Sequence, residues 1–131
     1  MNQTAVKLHS KIRAKKATVA VVGMGYVGLP VVMAFVKKGF KGIGVDLDLG
    51  RINKLRQGRS YVEDVPSSEV AQAIRSKRFW PTDTYEDLGE ADIIIICVPT
   101  PLNRVKDPDL SFILRAADEI RNCLRPGQLI I

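Results

Sequence analysis

Two alternating patterns of apolar positions run along the chain. Thr18–Gly23 is a short run rich in β-branched side chains and reads as a buried strand. The stretch from about Gly28 to Lys38 reads as a helix; it ends in two cations and Gly39, the charge and left-handed cap expected at a helix C-terminus. Pro30 fits only the first turn, which puts the helix start beside the glycines. Lys41–Val45 reads as a second strand with Asp46 at its end. Leu49–Gln57 follows as a short helix with Ile52 and Leu55 inward, then a loop over Gly58–Pro66. Ser67 or Ser68 can cap a helix reaching about Lys77, with Glu69 in its first turn.

Phe79–Thr82 reads as a short third strand, although Pro81 weakens it. Ile93–Val98 is the clearest strand, because four isoleucines follow one another without alternation. Such a run needs cover on both faces, as in a parallel sheet. Leu110, Ile113, Leu114, Ala117, Ile120 and Leu124 then share one helical stripe. Asp107 can cap that helix, Pro108 suits its first position, and Pro126–Gly127 end it. Gln128–Ile131 opens a further strand.

Strands alternating with helices imply right-handed βαβ crossovers and an α/β fold. The expected architecture is a Rossmann-like, doubly wound, mostly parallel sheet with helices on both faces. A strand order of 3-2-1-4-5 would put the isoleucine strand beside the first strand. Length supports one domain, 18–131, preceded by a basic leader over 1–17. The pattern breaks off inside its last strand, as expected of the first domain of a larger protein.

Charge changes the picture only at the front of the chain. The net charge is +6, but Lys7, Lys11, Arg13, Lys15 and Lys16 contribute +5 before residue 18, with no acid among them. The rest is nearly neutral. No aromatic residue interleaves the leader's cations, so a solvated leader is expected and a nucleic-acid partner is not. Ala17–Val36 carries no charge over twenty residues and mimics a membrane span. Gly23, Gly25, Gly28 and Pro30 interrupt it, so neither a span nor a signal peptide is expected, and a cytoplasmic location is. Cys97 and Cys123 form no CxxC and have no His nearby, which excludes a disulfide scaffold and a zinc ribbon and leaves no metal site.

The chemistry is concentrated in Gly23-Met24-Gly25-Tyr26-Val27-Gly28, a GxGxxG pattern. It follows a strand, opens a helix, and has Asp46 at the end of the next strand, the context that a dinucleotide fingerprint requires. Gly23 would allow the tight turn, Gly25 the approach of a pyrophosphate, and Gly28 close helix–strand packing. The helix N-terminus would receive phosphate charge. Asp46 would accept the adenosine ribose hydroxyls and repel a 2′-phosphate, favouring NAD over NADP. Arg51 could lie over that ribose or be simply solvated. Pro99-Thr100-Pro101 ends the isoleucine strand, across the expected switch point, so Thr100 could reach the cofactor.

GMGYVGLP, VDLDLGRI, GRSYVEDV and ADIIIICVPTPL with DPDL resemble the nucleotide-sugar 6-dehydrogenases, the family of UDP-glucose and GDP-mannose dehydrogenases. SYVEDV and PTPLNRVKDPDL are most similar to its N-acetyl-hexosamine branch. The resemblance covers about residues 18–131. It implies an NAD-binding domain of an enzyme that oxidises the C6 hydroxyl of a UDP-sugar to a carboxylate, in two steps with two NAD. By motif match it implies cofactor contacts from Gly23 to Gly28, with Tyr26 and Val27 giving backbone N–H groups. It implies the same for Asp46 and Arg51, and for Val98, Pro99, Thr100 and Pro101 beside the cofactor.

The family's nucleophilic cysteine and its sugar-binding and dimer-contact residues lie beyond position 131. No catalytic residue is therefore expected in this chain, which alone would be inactive and could be monomeric, with the whole enzyme a homo-oligomer. Cys97 is expected inside a buried strand, and His9 lies in the leader. Two other functions stay open: a stand-alone nucleotide-binding regulatory module, and the cofactor domain of a hydroxyacid or 6-phosphogluconate-type dehydrogenase.

Overall fold

The computed structural model describes residues 2–131. Five parallel strands form one sheet: β1 (Thr18–Val22), β2 (Lys41–Val45), β3 (Phe79–Thr82), β4 (Ile93–Ile96) and β5 (Leu129–Ile130). Their order is β3-β2-β1-β4-β5, as the alternation of elements predicts. Val22 pairs with Val45 on one side and Ile96 on the other, so these three strands end level.

Helices cover both faces. Helices α2 (Gly28–Lys37), α3 (Leu49–Arg56) and α4 (Ser67–Arg75) bring Leu29, Val32, Ile52, Leu55 and Val70 onto Val21, Phe79 and Ile95. On the other face a 3₁₀ turn, Tyr85–Glu90, and α5 (Ser111–Cys123) bring Leu88, Ala116 and Ile120 onto Ala20, Val45 and Ile94. The isoleucine run thus divides between two cores: Ile94 and Ile96 face one, Ile95 the other. That is why it shows no apolar–polar alternation. Glycines in β2 let the layers close. A Cβ on Gly42 would lie 2.8 Å from the side chains of Val32 and Val36.

Pro81 is tolerated because β3 is the sheet edge. The apparent membrane span divides into β1, a glycine turn and α2, and no described helix is long and apolar enough to cross a membrane. Helix α2 ends as predicted, with Gly39 left-handed at φ 99°. Helix α4 ends two residues earlier than predicted, at Arg75, and Lys77 takes the left-handed conformation instead of a glycine (φ 59°). Neither serine caps α4. Pro66 holds the cap position, and Ser67 Oγ instead accepts the Ser60 N–H at 2.9 Å.

The stretch expected to be a solvated basic leader carries an unpredicted helix, α1 (Gln3–Arg13), capped by Asn2 and with no buried residue. It is tied to the sheet by Lys11, whose Nζ lies 2.9 Å from Asp92 Oδ1. Asp92 also accepts the Thr18 N–H and the Arg125 guanidinium.

Helix α5 departs from expectation in two ways. Asp107 and Pro108 do not start it. Leu102 and Pro108 form an antiparallel bridge, Asn103 Oδ1 accepts two backbone N–H groups, and Lys106 is left-handed. This small closed loop delays the helix to Ser111, whose N–H is accepted by Asp109. The inward stripe is also rotated. Ile113, Ala116, Ile120 and Cys123 face the sheet, while Leu110, Leu114, Ala117 and Leu124 are exposed.

Candidate functional site

The turn after β1 is built from three glycines with different constraints. Gly23 is left-handed (φ 101°), and a Cβ there would lie 2.6 Å from the Cys97 carbonyl oxygen. At Gly28 a Cβ would run into the Gly23 carbonyl oxygen. The chain's own packing therefore demands both residues. Gly25 differs, because the nearest atom to a Cβ there is Arg51 Nη1 at 3.7 Å. Its open side faces a cleft, and the bare backbone is available to a group from outside the chain. Next along the turn, the N–H groups of Tyr26 and Val27 have no hydrogen-bond partner among the described residues. They sit at the uncapped start of α2, where the helix dipole is positive.

Asp46, at the end of β2, is fastened to this turn. Its Oδ2 accepts the Met24 N–H at 2.8 Å and its Oδ1 accepts the Asp48 N–H at 2.9 Å. Asp48 caps α3 through the Arg51 N–H, which brings Arg51 back over the turn. Arg51 Nη1 then lies 3.4 Å from Asp46 Oδ2. Tyr61, from the loop between α3 and α4, donates its hydroxyl to the Met24 carbonyl and presents its ring to Arg51.

These groups border a cleft of about 530 Å³ across the carboxyl ends of β1, β2 and β4. The chain leaves β1 toward one edge of the sheet and β4 toward the other, so this is the switch point of the sheet. The cleft brings together Gly23, Gly25, Tyr26, Val27, Asp46, Arg51, Val98, Pro99 and Thr100 from the predicted set. Two predicted residues stay off its lining. Gly28 is buried behind the turn, and Pro101 lies in the following loop, its carbonyl accepting the Asp109 N–H.

Beyond the strand-end residues Val22 and Val45, five further residues line the cleft: Leu47, Tyr85, Cys97, Phe112 and Arg115. Phe112 and Arg115 come from the first turns of α5, on the flank of its buried stripe, so the stripe's position locates them only once its true rotation is known. Tyr85 comes from the unpredicted 3₁₀ turn. Cys97 corrects an expectation. It lies just past β4, half-buried, with its N–H on the Val22 carbonyl, and forms part of the cleft wall rather than the strand interior.

The charged groups on the lining are Asp46, Arg51 and Arg115. Burial pushes the Cys97 thiol upward, and burial likewise raises the Tyr85 phenol. Both remain protonated at neutral pH, so Cys97 is no activated nucleophile. No group of three or more His, Cys, Asp or Glu residues able to hold a metal occurs among the described residues. The arrangement suits binding: an open backbone turn, a positive helix end, one carboxylate and two guanidinium groups around an otherwise apolar cleft.

Known proteins resemble this chain in sequence and in fold. Residues 17–131 match the family model described as the NAD binding domain of the UDP-glucose/GDP-mannose dehydrogenase family. Over 117 residues the chain is 38% identical to the UDP-N-acetyl-D-glucosamine 6-dehydrogenase of Pseudomonas aeruginosa, covering 89% of this chain and 27% of that one. Among solved structures, the UDP-D-ManNAc dehydrogenase of Pyrococcus horikoshii superposes with a TM-score of 0.81 at 32% identity, over 86% of this chain and 27% of that one. The GDP-mannose dehydrogenase of Pseudomonas aeruginosa gives 0.78 at 29%, over 82% and 25%. The chain spans about a quarter of the length of the curated relatives it matches. By sequence and by fold, this chain belongs to the UDP-glucose/GDP-mannose dehydrogenase family and is an NAD-binding domain of it.

Proposed function

We propose that this chain holds the cofactor for an NAD-dependent nucleotide-sugar 6-dehydrogenase. The observation that carries the reading is Gly25. Its missing side chain is required by nothing in the protein, and the space it leaves open lies beside Arg51 in the cleft. A dinucleotide fits such a cradle. The Tyr26 and Val27 N–H groups and the α2 N-terminus would take the pyrophosphate. Asp46 would accept the adenosine ribose hydroxyls, with Arg51 beside it, and its charge would disfavour a 2′-phosphate. Gly23 and Gly28 would shape the turn, and Val98, Pro99 and Thr100 would border the cofactor from β4, with Pro101 fixing the loop behind them. When bound, NAD supplies the hydride acceptor for oxidising an alcohol.

The substrate in this reading is a UDP-sugar, a UDP-N-acetyl-hexosamine, whose C6 hydroxyl becomes a carboxylate. Support comes from the matching P. aeruginosa and P. horikoshii enzymes, which act on such sugars by name. The nucleophile and sugar-reading groups would belong to a partner part of a larger, homo-oligomeric, cytoplasmic enzyme, with residues 1–17 as a basic leader ahead of the domain. The test is NADH formation by the longer protein carrying this chain, offered UDP-N-acetylglucosamine, UDP-N-acetylmannosamine and UDP-glucose. Two NADH per N-acetyl-hexosamine are expected. A native protein of only this size that binds NAD without turning over any UDP-hexose would favour a regulatory module instead.

A further inference from the structure

Tyr61 lies outside the glycine turn and outside the cleft lining, yet it touches Arg51 directly and Asp46 through a shared partner, Met24. Its hydroxyl donates to the Met24 carbonyl, while Asp46 holds the Met24 N–H from the other side. Met24 itself is fully buried. The turn is therefore clamped at one residue from two directions. The Tyr61 ring does something separate. The Arg51 guanidinium carbon lies 5.7 Å from its centroid, and the same guanidinium reaches Asp46 at 3.4 Å and Asp48 at 3.8 Å. The Arg51 side chain is 41% exposed, so neither packing nor burial would otherwise confine it.

We propose that Tyr61 is a positioning residue that sets dinucleotide specificity: its hydroxyl fixes the glycine turn through Met24, and its ring keeps the Arg51 guanidinium against Asp46. The inference rests on reading the cleft as a dinucleotide site. A free arginine beside an adenosine ribose is the group that accommodates the 2′-phosphate of NADP. Held over an aromatic face and against a carboxylate, that cation is partly neutralised and withheld from the phosphate. Tyr61 would thus protect the choice that Asp46 makes. Burial, reinforced by the Asp46 charge, holds the phenol far above its ordinary range, so it stays a donor throughout the working pH range.

The two roles separate by substitution. The protein and its variants are titrated with NAD and with NADP, and folding is checked by thermal melting. Tyr61→Phe keeps the ring and loses the hydroxyl; both affinities should fall by a similar factor, roughly three- to tenfold, with their ratio unchanged. Tyr61→Leu loses both, and the preference for NAD should narrow by a further two- to fivefold or so as Arg51 is released. In an Arg51→Met background, Tyr61→Leu should leave the ratio alone. If Tyr61→Leu does not fold, Tyr61→Met fills the space without a π face and carries the same test. A ratio unmoved by the loss of the ring, or moved as much by Tyr61→Phe, overturns the inference while leaving the cofactor reading intact. Wild-type protein that binds neither dinucleotide overturns both.

Discussion

The Asp46 carboxylate accepts the Met24 N–H at 2.8 Å, which joins the acid ending β2 to the turn ending β1. The Asp48 N–H occupies its other oxygen, so the carboxylate is oriented before any ligand arrives. Asp46→Asn would replace one acceptor by a donor facing an N–H. It should lose about 1.5–3 kcal/mol of NAD binding, roughly ten- to a hundredfold, and lose more for NAD than for NADP. Isothermal titration of both dinucleotides against the variant checks this.

Gly25 and Gly28 should respond in opposite ways to the same methyl group. Gly28→Ala drives a Cβ into the Gly23 carbonyl and should destabilise the fold by about 3 kcal/mol. Gly25→Ala meets only the far end of Arg51 at 3.7 Å and should change stability by less than about 1 kcal/mol. Its NAD affinity should nonetheless drop at least tenfold or so, because the methyl occupies the approach to the backbone. Urea denaturation and NAD titration of the two variants separate packing from binding.

Lys77 takes a left-handed conformation just past α4, a position for which helices that end this way usually use glycine. Lys77→Gly should remove that strain and stabilise the protein by about 1 kcal/mol, raising the melting temperature by about 4 °C. The site is remote from the cleft, so NAD affinity should not move. Differential scanning calorimetry reads the first effect directly.

Asp92 gives the fold an acid-sensitive tie. Burial alone would raise its carboxyl, but the Thr18 N–H, Lys11 and Arg125 outweigh burial and hold it below the ordinary carboxylate range. A folded pKa below the unfolded one contributes stability that is present above the unfolded pKa of 3.8 and is lost as pH falls through the folded value. Stability should therefore fall below about pH 4, and Asp92→Asn should flatten that part of the profile while lowering stability at neutral pH. Urea melts from pH 3 to 7, on wild type and variant, test it.

Local pattern was enough for most of the sheet. The Ile93–Ile96 run announces a strand covered on both sides, and the glycine–Asp46 spacing locates the cleft, because both are properties of short stretches. What stayed hidden depends on distant partners. Tyr61 meets Met24 across 37 residues, and Lys11 meets Asp92 across 81; nothing near either residue signals the contact. Helix α1 offers only a narrow apolar stripe, Ala5, Leu8 and Ile12, none of it fully buried, and an ion pair ties it to the sheet. For α5 the period was legible but its phase was not. Leu114 and Leu124 are apolar yet exposed, while Ala116 takes the buried position against the sheet. A periodic pattern states that a face is apolar, not that the fold covers it. Cys97 was misplaced for a related reason: β4 ends at Ile96, and apolar content alone does not show where a strand stops and a cleft wall begins.

The central claim is that the cleft between the glycine turn and Asp46 is an NAD site. Calorimetric titration of the 131-residue chain with NAD, with NADP as the paired control, tests it most directly. Saturable one-to-one binding of NAD, clearly tighter than NADP, is expected, with loss of that binding in Gly25→Ala at unchanged folding. Absence of NAD binding by the folded chain, or equal affinity for the two dinucleotides, would contradict it.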